Sequence, residues 1–351
     1  MIKYKKWGEK MAKRIKEISV MNVLLALMVI FIHVSGDAVI TLDKYKSAYI
    51  IVMTLWRLCQ VAVYGFIFLS GLKLCLKEDI DYEKFYISRF KTIIIPYIVW
   101  VIIYYIYYYN HSYYPKDANH VKILYEAIIT GNMASHFYFV IIIAQFYLLA
   151  PFFKKMVKKS NAKVCIFVSL LITLISMYAG QNVLYNDRIF TTYIFYFVFG
   201  CFMGANYEKF KSFVKKYFIV ISLAFLISAF LFIFVAYYMN IGKIPYNFYI
   251  EYIRTVYCIC AILFIFGVCL KIKNVYNNTL VQKTDSASYY IYLVHSFFIP
   301  IINDIMLENS IKTVKYTFPI RAVYVYLVSI CLCISYVELK NRFLKRGELK
   351  S

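Results

Sequence analysis

Charge is scarce in this chain and leans to one sign: 17% of its 351 residues are charged, with 18 acidic side chains against 40 basic ones. At 62% hydrophobic residues and a mean hydropathy of +0.65, so few charges cannot cover the apolar surface of a water-soluble core, which excludes a soluble enzyme. There is no glycine-rich phosphate loop, no internal repeat and no low-complexity linker, so the usual signs of a nucleotide-binding loop, a solenoid or a tethered second soluble domain are missing. All nine cysteines lie in or beside apolar blocks. The close pairs Cys258/Cys260 and Cys331/Cys333 are two apart and point to different helix faces, so neither disulfides nor a metal site is expected.

What is present is apolar sequence in blocks of about 18 to 25 residues, the length a helix needs to cross a hydrocarbon layer of about 30 Å. Ten spans are predicted, near 18–36, 48–72, 93–110, 136–153, 164–180, 189–206, 217–239, 250–270, 286–306 and 319–339. The expected fold class is all-α, a polytopic membrane bundle of about ten transmembrane helices. A basic N-terminal segment, 1–17, precedes a membrane domain over 18–341, and a basic tail, 342–351, follows it. The mixed run 112–135 leaves room for an interfacial helix around 121–129.

The basic residues orient the bundle, because short cytoplasmic loops collect Lys and Arg. With the N terminus inside, 29 of the 40 fall in cytoplasmic segments and eight in the opposite loops, while Arg57, Arg254 and Arg321 lie within spans. Both termini are therefore expected in the cytoplasm of a multi-pass cell-membrane protein. The formal charge of +22 reads as topogenic sequence with attraction to anionic lipid, and no nucleic-acid partner is expected. The N-terminal run is too long and too charged for a cleaved signal, so the first span is read as retained. The tyrosine-rich stretch YYIYYYNHSYY suits an aromatic belt at the membrane interface.

Ionisable side chains inside spans cost about 2.5 to 3.5 kcal/mol at a helix centre, so they point to cavities or partners. His33 follows an almost unbroken apolar stretch in the outer half of the first span. Asn22 lies eleven residues earlier, about 16 Å along the same helix stripe. His295 is about 15 Å into the ninth span. Arg57 is similarly deep from the outside, with Gln60 less than a turn away. His136 opens the fourth span at its outer end, and Glu251 and Arg254 are spaced to pair on one helix face.

In order and spacing these blocks resemble the acyltransferase-3 family of ten-helix membrane acyltransferases, which acylate cell-surface glycans. The resemblance covers most of the chain. The first helix is similar to the family's Arg, ten mostly apolar residues, then His, with His33 in the catalytic His position. VAVYGFIFLSGLKLCLKE resembles the second helix with its Ser70-Gly71, and SRFKTIIIPYIVW resembles the basic entry to the third, with Arg89, Pro96 and Trp100. SHFYFVIIIAQFYLLAPFF, YFVFGCFMGAN and SASYYIYLVHSFFI resemble later blocks, the last built on Ser288, Ile291, Tyr292, Leu293 and His295. Three positions depart from the pattern: Asn22 stands where Arg is usual, Thr92 where a second Arg follows, and Tyr64 where Pro is frequent.

The resemblance implies transfer of an acyl group, an acetyl above all, from cytoplasmic acyl-CoA to a hydroxyl of a surface or lipid-linked glycan. His33 is then the general base. Asn22, Arg89 and Lys91 belong to the donor side, and Lys84 lies near the same entry. Arg57, His136, Tyr138 and His295 belong to the acceptor side or cavity, although His295 also suits a helix-packing hydrogen bond and Tyr138 an aromatic anchor. No bound cofactor is expected beyond acyl-CoA as donor substrate. The rival class is a glycan exporter or flippase without covalent chemistry. The sequence leaves acyl chain, acceptor and oligomeric state open.

Overall fold

The computed structural model describes residues 15–77 and 79–348. Most of the expected basic N-terminal segment therefore lies outside the described residues, as do 349–351 of the expected tail.

The described residues form helices and turns with no strand. In chain order the helices are α1 (Lys16–Thr41), α2 (Ser47–Cys59), α3 (Val61–Cys75), α4 (Tyr82–Arg89), α5 (Ile95–Asn110), α6 (His120–Thr130), α7 (Tyr138–Leu148) and α8 (Ala150–Lys159). There follow α9 (Ala162–Ala179), α10 (Ile194–Ala205), α11 (Tyr207–Lys216), α12 (Phe218–Asn240), α13 (Tyr249–Ile272), α14 (Thr279–Val294), α15 (Phe298–Glu308) and α16 (Val314–Glu348). Each predicted span falls on a helix or a consecutive run of helices. Eight of these are long and apolar enough to cross a membrane, and the pair α7 and α8, bent by 56°, makes up to nine. The remaining predicted span is the shorter apolar helix Phe190–Ala205. The helix expected near 121–129 is α6, and α16 carries the chain helically past 341.

Prolines account for three of the breaks within spans. Proline has no N–H and its ring collides with the carbonyl four residues back, so the backbone must loosen one turn earlier. Pro96 follows the π-helical turn Phe90–Ile94, and Pro151 follows the bend between α7 and α8. Pro300 comes one turn after the 3₁₀ turn His295–Phe297 that separates α14 from α15.

The core gathers around α1, which packs against α2, α3, α13, α14 and α16. Between α3 and α10 the backbones touch. A Cβ on Gly200 would stand 2.1 Å from the Phe68 carbonyl oxygen, and one on Gly71 would stand 2.2 Å from that of Phe197. Helices that cannot gain from excluding water from lipid-like surfaces associate through such close small-residue packing. Stacked rings join α12 to α13, with Phe225 and Phe264 centroids 4.3 Å apart. At one end of the bundle Lys16 donates to Asn277, and at the other Lys44 donates to the Asn240 carbonyl. Near that second end the buried Arg321 ties α16 to Asp37 at 2.9 Å and to Asn303 at 2.8 Å.

Candidate active site

Three histidines from distant parts of the chain meet in the half of the bundle away from Lys16. His33 stands on α1, partly exposed. His136 is buried in the turn before α7, reached after Gly131 ends α6 in a left-handed conformation (φ 69°) that a glycine adopts without strain. His295 is fully buried in the 3₁₀ turn set by Pro300. Ring centroids lie 5.1 Å apart for His33 and His295, 5.5 Å for His33 and His136, and 4.6 Å for His136 and His295.

Hydrogen bonds fix how two of these rings present themselves. His295 Nδ1 lies 2.8 Å from the Tyr292 carbonyl and 3.1 Å from that of Ile291. His136 Nε2 lies 3.4 Å from the Leu293 carbonyl, and the Tyr292 hydroxyl donates to the His136 carbonyl. Carbonyl oxygens only accept, so His295 Nδ1 and His136 Nε2 carry the hydrogens. His295 Nε2 and His136 Nδ1 are then left as lone pairs, and both are buried without a hydrogen-bond partner. His33 Nδ1 lies 3.4 Å from the Ser135 hydroxyl. One ring nitrogen from each residue falls within 4.8 Å of the others, so the three can act on a common proton or cation.

His33 and His136 open on a chamber of about 310 Å³ that is also lined by Gln60, Tyr64, Tyr138 and Arg254. Arg254 pairs with Glu251 as the helical spacing predicts, and it also faces the same space as His33. Arg57 does not line this chamber; its guanidinium lies against the rings of Trp56 at 4.9 Å and Phe232 at 5.6 Å.

A second chamber, of about 380 Å³, lies toward the Lys16 end. Arg89 lines it, its guanidinium held over Tyr147 at 4.8 Å and Phe85 at 5.1 Å. Asn22 lines it too, donating to Asp285 at 2.9 Å and to Ser288 at 2.7 Å, while its carbonyl oxygen accepts from Lys73 at 3.4 Å. Lys73, three residues after Ser70 in an apolar helix, also lines the chamber and is not among the site residues the sequence predicts. Lys91 is exposed and is not among the lining residues. Phe139 and Tyr292 line both chambers, which therefore adjoin at these two rings.

The chain is 25% identical over 306 residues to a Staphylococcus aureus protein described as a probable poly-beta-1,6-N-acetyl-D-glucosamine export protein, covering 82% of each chain. It is 27% identical over 324 residues to the Staphylococcus epidermidis protein of the same description, covering 84% of this chain and 82% of that one. No solved structure matches. The family model described as an acyltransferase domain matches residues 15–338, nearly the whole chain and both chambers, and the chain thus belongs to the acyltransferase-3 family.

Proposed function

We propose that the protein is a membrane O-acyltransferase that moves an acyl group, an acetyl in the first instance, from acyl-CoA to a hydroxyl of a cell-surface or lipid-linked glycan. The observation that carries this reading is a cation-lined chamber adjoining a histidine-lined one across Phe139 and Tyr292. The distribution of basic residues makes the Lys16 end cytoplasmic, with both termini on that side. Arg89 and Lys73 then meet the phosphates of CoA, Arg89 through directed paired hydrogen bonds and Lys73 as a point charge. Lys73 supplies beside Asn22 the cation that the family pattern carries at the Asn22 position itself. The glycan enters the other chamber, where Tyr64 and Tyr138 offer ring faces to a sugar.

His33, as neutral imidazole, takes the proton of the acceptor hydroxyl while that oxygen bonds to the thioester carbonyl carbon. Negative charge gathers on the carbonyl oxygen, and the Arg254 guanidinium and Gln60 amide are charged and neutral donors in the chamber that can meet it. The carbon–sulfur bond breaks, the ester leaves, and His33 returns its proton to the CoA thiolate. His136 and His295, whose rings stand 5.5 and 5.1 Å from that of His33 and each keep an unpartnered lone pair, favour the imidazolium that forms between these two proton transfers.

The descriptions of the staphylococcal relatives support a glycan partner, and they also favour a second reading in which the polymer is exported without covalent chemistry. Purified protein given labelled acetyl-CoA and a soluble glycan acceptor separates the two. Under the acyltransferase reading, label moves to the acceptor. His33→Ala, inserted and extractable at normal abundance, then loses about a hundredfold to ten-thousandfold in rate. Wild-type turnover by His33→Ala would overturn His33 as the base. Unmoved label, together with polymer crossing a vesicle membrane, would put export first.

A further inference from the structure

We propose that His33, His136 and His295 form a binding site for a divalent transition cation of the zinc class, with an open ligand position facing the His33 chamber. The donor set is three imidazoles, one nitrogen of each within 4.8 Å of the others. Two of these rings have a lone pair that meets no donor although the atom is buried, His136 Nδ1 and His295 Nε2, in residues 2% and 0% exposed. A buried acceptor left unpaired costs about 1 to 3 kcal/mol, so two of them beside each other call for a positive partner.

The other ring nitrogens have outer partners: His295 Nδ1 lies against two carbonyls, His136 Nε2 against one, and His33 Nδ1 lies 3.4 Å from the Ser135 hydroxyl. That outer hydrogen bonding is how a ligating histidine is fixed in tautomer and direction. A zinc–nitrogen bond is about 2.0 to 2.1 Å, so binding draws the three nitrogens closer than their present spacing. His33 is the ring that swings, because it is partly exposed while the other two are buried. Imidazole nitrogen suits zinc, copper, nickel and iron, whereas magnesium and calcium take oxygen ligands, and the set contains no oxygen. Three protein ligands with a fourth position open is the arrangement in which the metal stays accessible to an incoming molecule.

Metal and proton compete for the same lone pair of His33, so the loaded protein is the silent form in acyl transfer; this clause alone rests on the proposed function. The test uses the full chain purified in detergent, stripped with a chelator and given Zn²⁺ alone in equilibrium dialysis, with Co²⁺ as a visible-absorption probe. The expected result is one zinc per chain and the intense visible bands of low-coordinate cobalt. His136→Ala and His295→Ala should each weaken zinc binding by at least about tenfold. The cobalt spectrum needs no variant, so the site remains testable if either substitution impairs folding. Zinc at background level, a cobalt spectrum matching the free aqueous ion, or zinc binding as tight as wild type in both folded variants would overturn the site. Stoichiometric binding with undiminished acyl transfer would keep the site and overturn His33 as the base. Absent binding together with an inactive His33→Ala would overturn the site and leave the base.

Discussion

Phe139 and Tyr292 stand edge to face, their ring centroids 5.4 Å apart, at the one boundary that the cation-lined and histidine-lined chambers share. Tyr292 is held there by its hydrogen bond to the His136 carbonyl, so the partition is tied directly to the histidine cluster. In the proposed reaction a thioester enters from one side and a hydroxyl from the other, so these rings would control what reaches the reacting carbon. Excluding water matters, because water is itself an acyl acceptor.

Phe139→Leu should therefore raise hydrolysis of acyl-CoA relative to transfer by several-fold. The partition of labelled acetyl between free acetate and glycan ester measures it directly. An unchanged partition in a variant of normal abundance would show that the rings do not keep water from the donor.

Arg89→Ala and Lys73→Met should each raise the apparent KM for acyl-CoA, with a smaller effect on kcat, since phosphate contacts are made equally before and during reaction. A hydrogen bond to a charged group contributes about 1.5 to 3 kcal/mol, which corresponds to roughly a tenfold to hundredfold rise in KM. Initial rates against donor concentration in detergent check this. A KM for donor unchanged in both variants would remove this chamber from donor binding.

Gly200→Ala should destabilise the protein, because the new Cβ meets the Phe68 carbonyl at 2.1 Å and the two backbones cannot separate without opening α3 from α10. Overpacking of this kind costs about 1 to 3 kcal/mol. Gly36→Ala has the opposite expected sign: a Cβ there meets nothing within 4 Å, and Ala is the better helix former by about 1 kcal/mol. Thermal unfolding of the two variants in one detergent checks the pair, and an equal or higher midpoint for Gly200→Ala would refute the close-packing account.

The sequence by itself determined the membrane class, the apolar blocks and the stripe on α1 that carries Asn22 and His33, because these depend only on hydropathy and helical period along the chain. The pairing of Glu251 with Arg254 was legible for the same reason, being local to one helix face. Only the tertiary structure decided which helix faces a neighbour and which faces lipid. Hydropathy does not separate the two: the most apolar 18-residue window of α12 averages 3.0 and is 22% buried, while that of the run containing α13 averages 2.4 and is 56% buried. Lipid tails and neighbouring side chains are equally apolar, so the hydrophobic pattern that marks a core in a soluble protein is silent here. For that reason His295, readable as a packing residue, turns out to stand beside His33, and Lys73 beside Asn22, through contacts between helices remote in sequence.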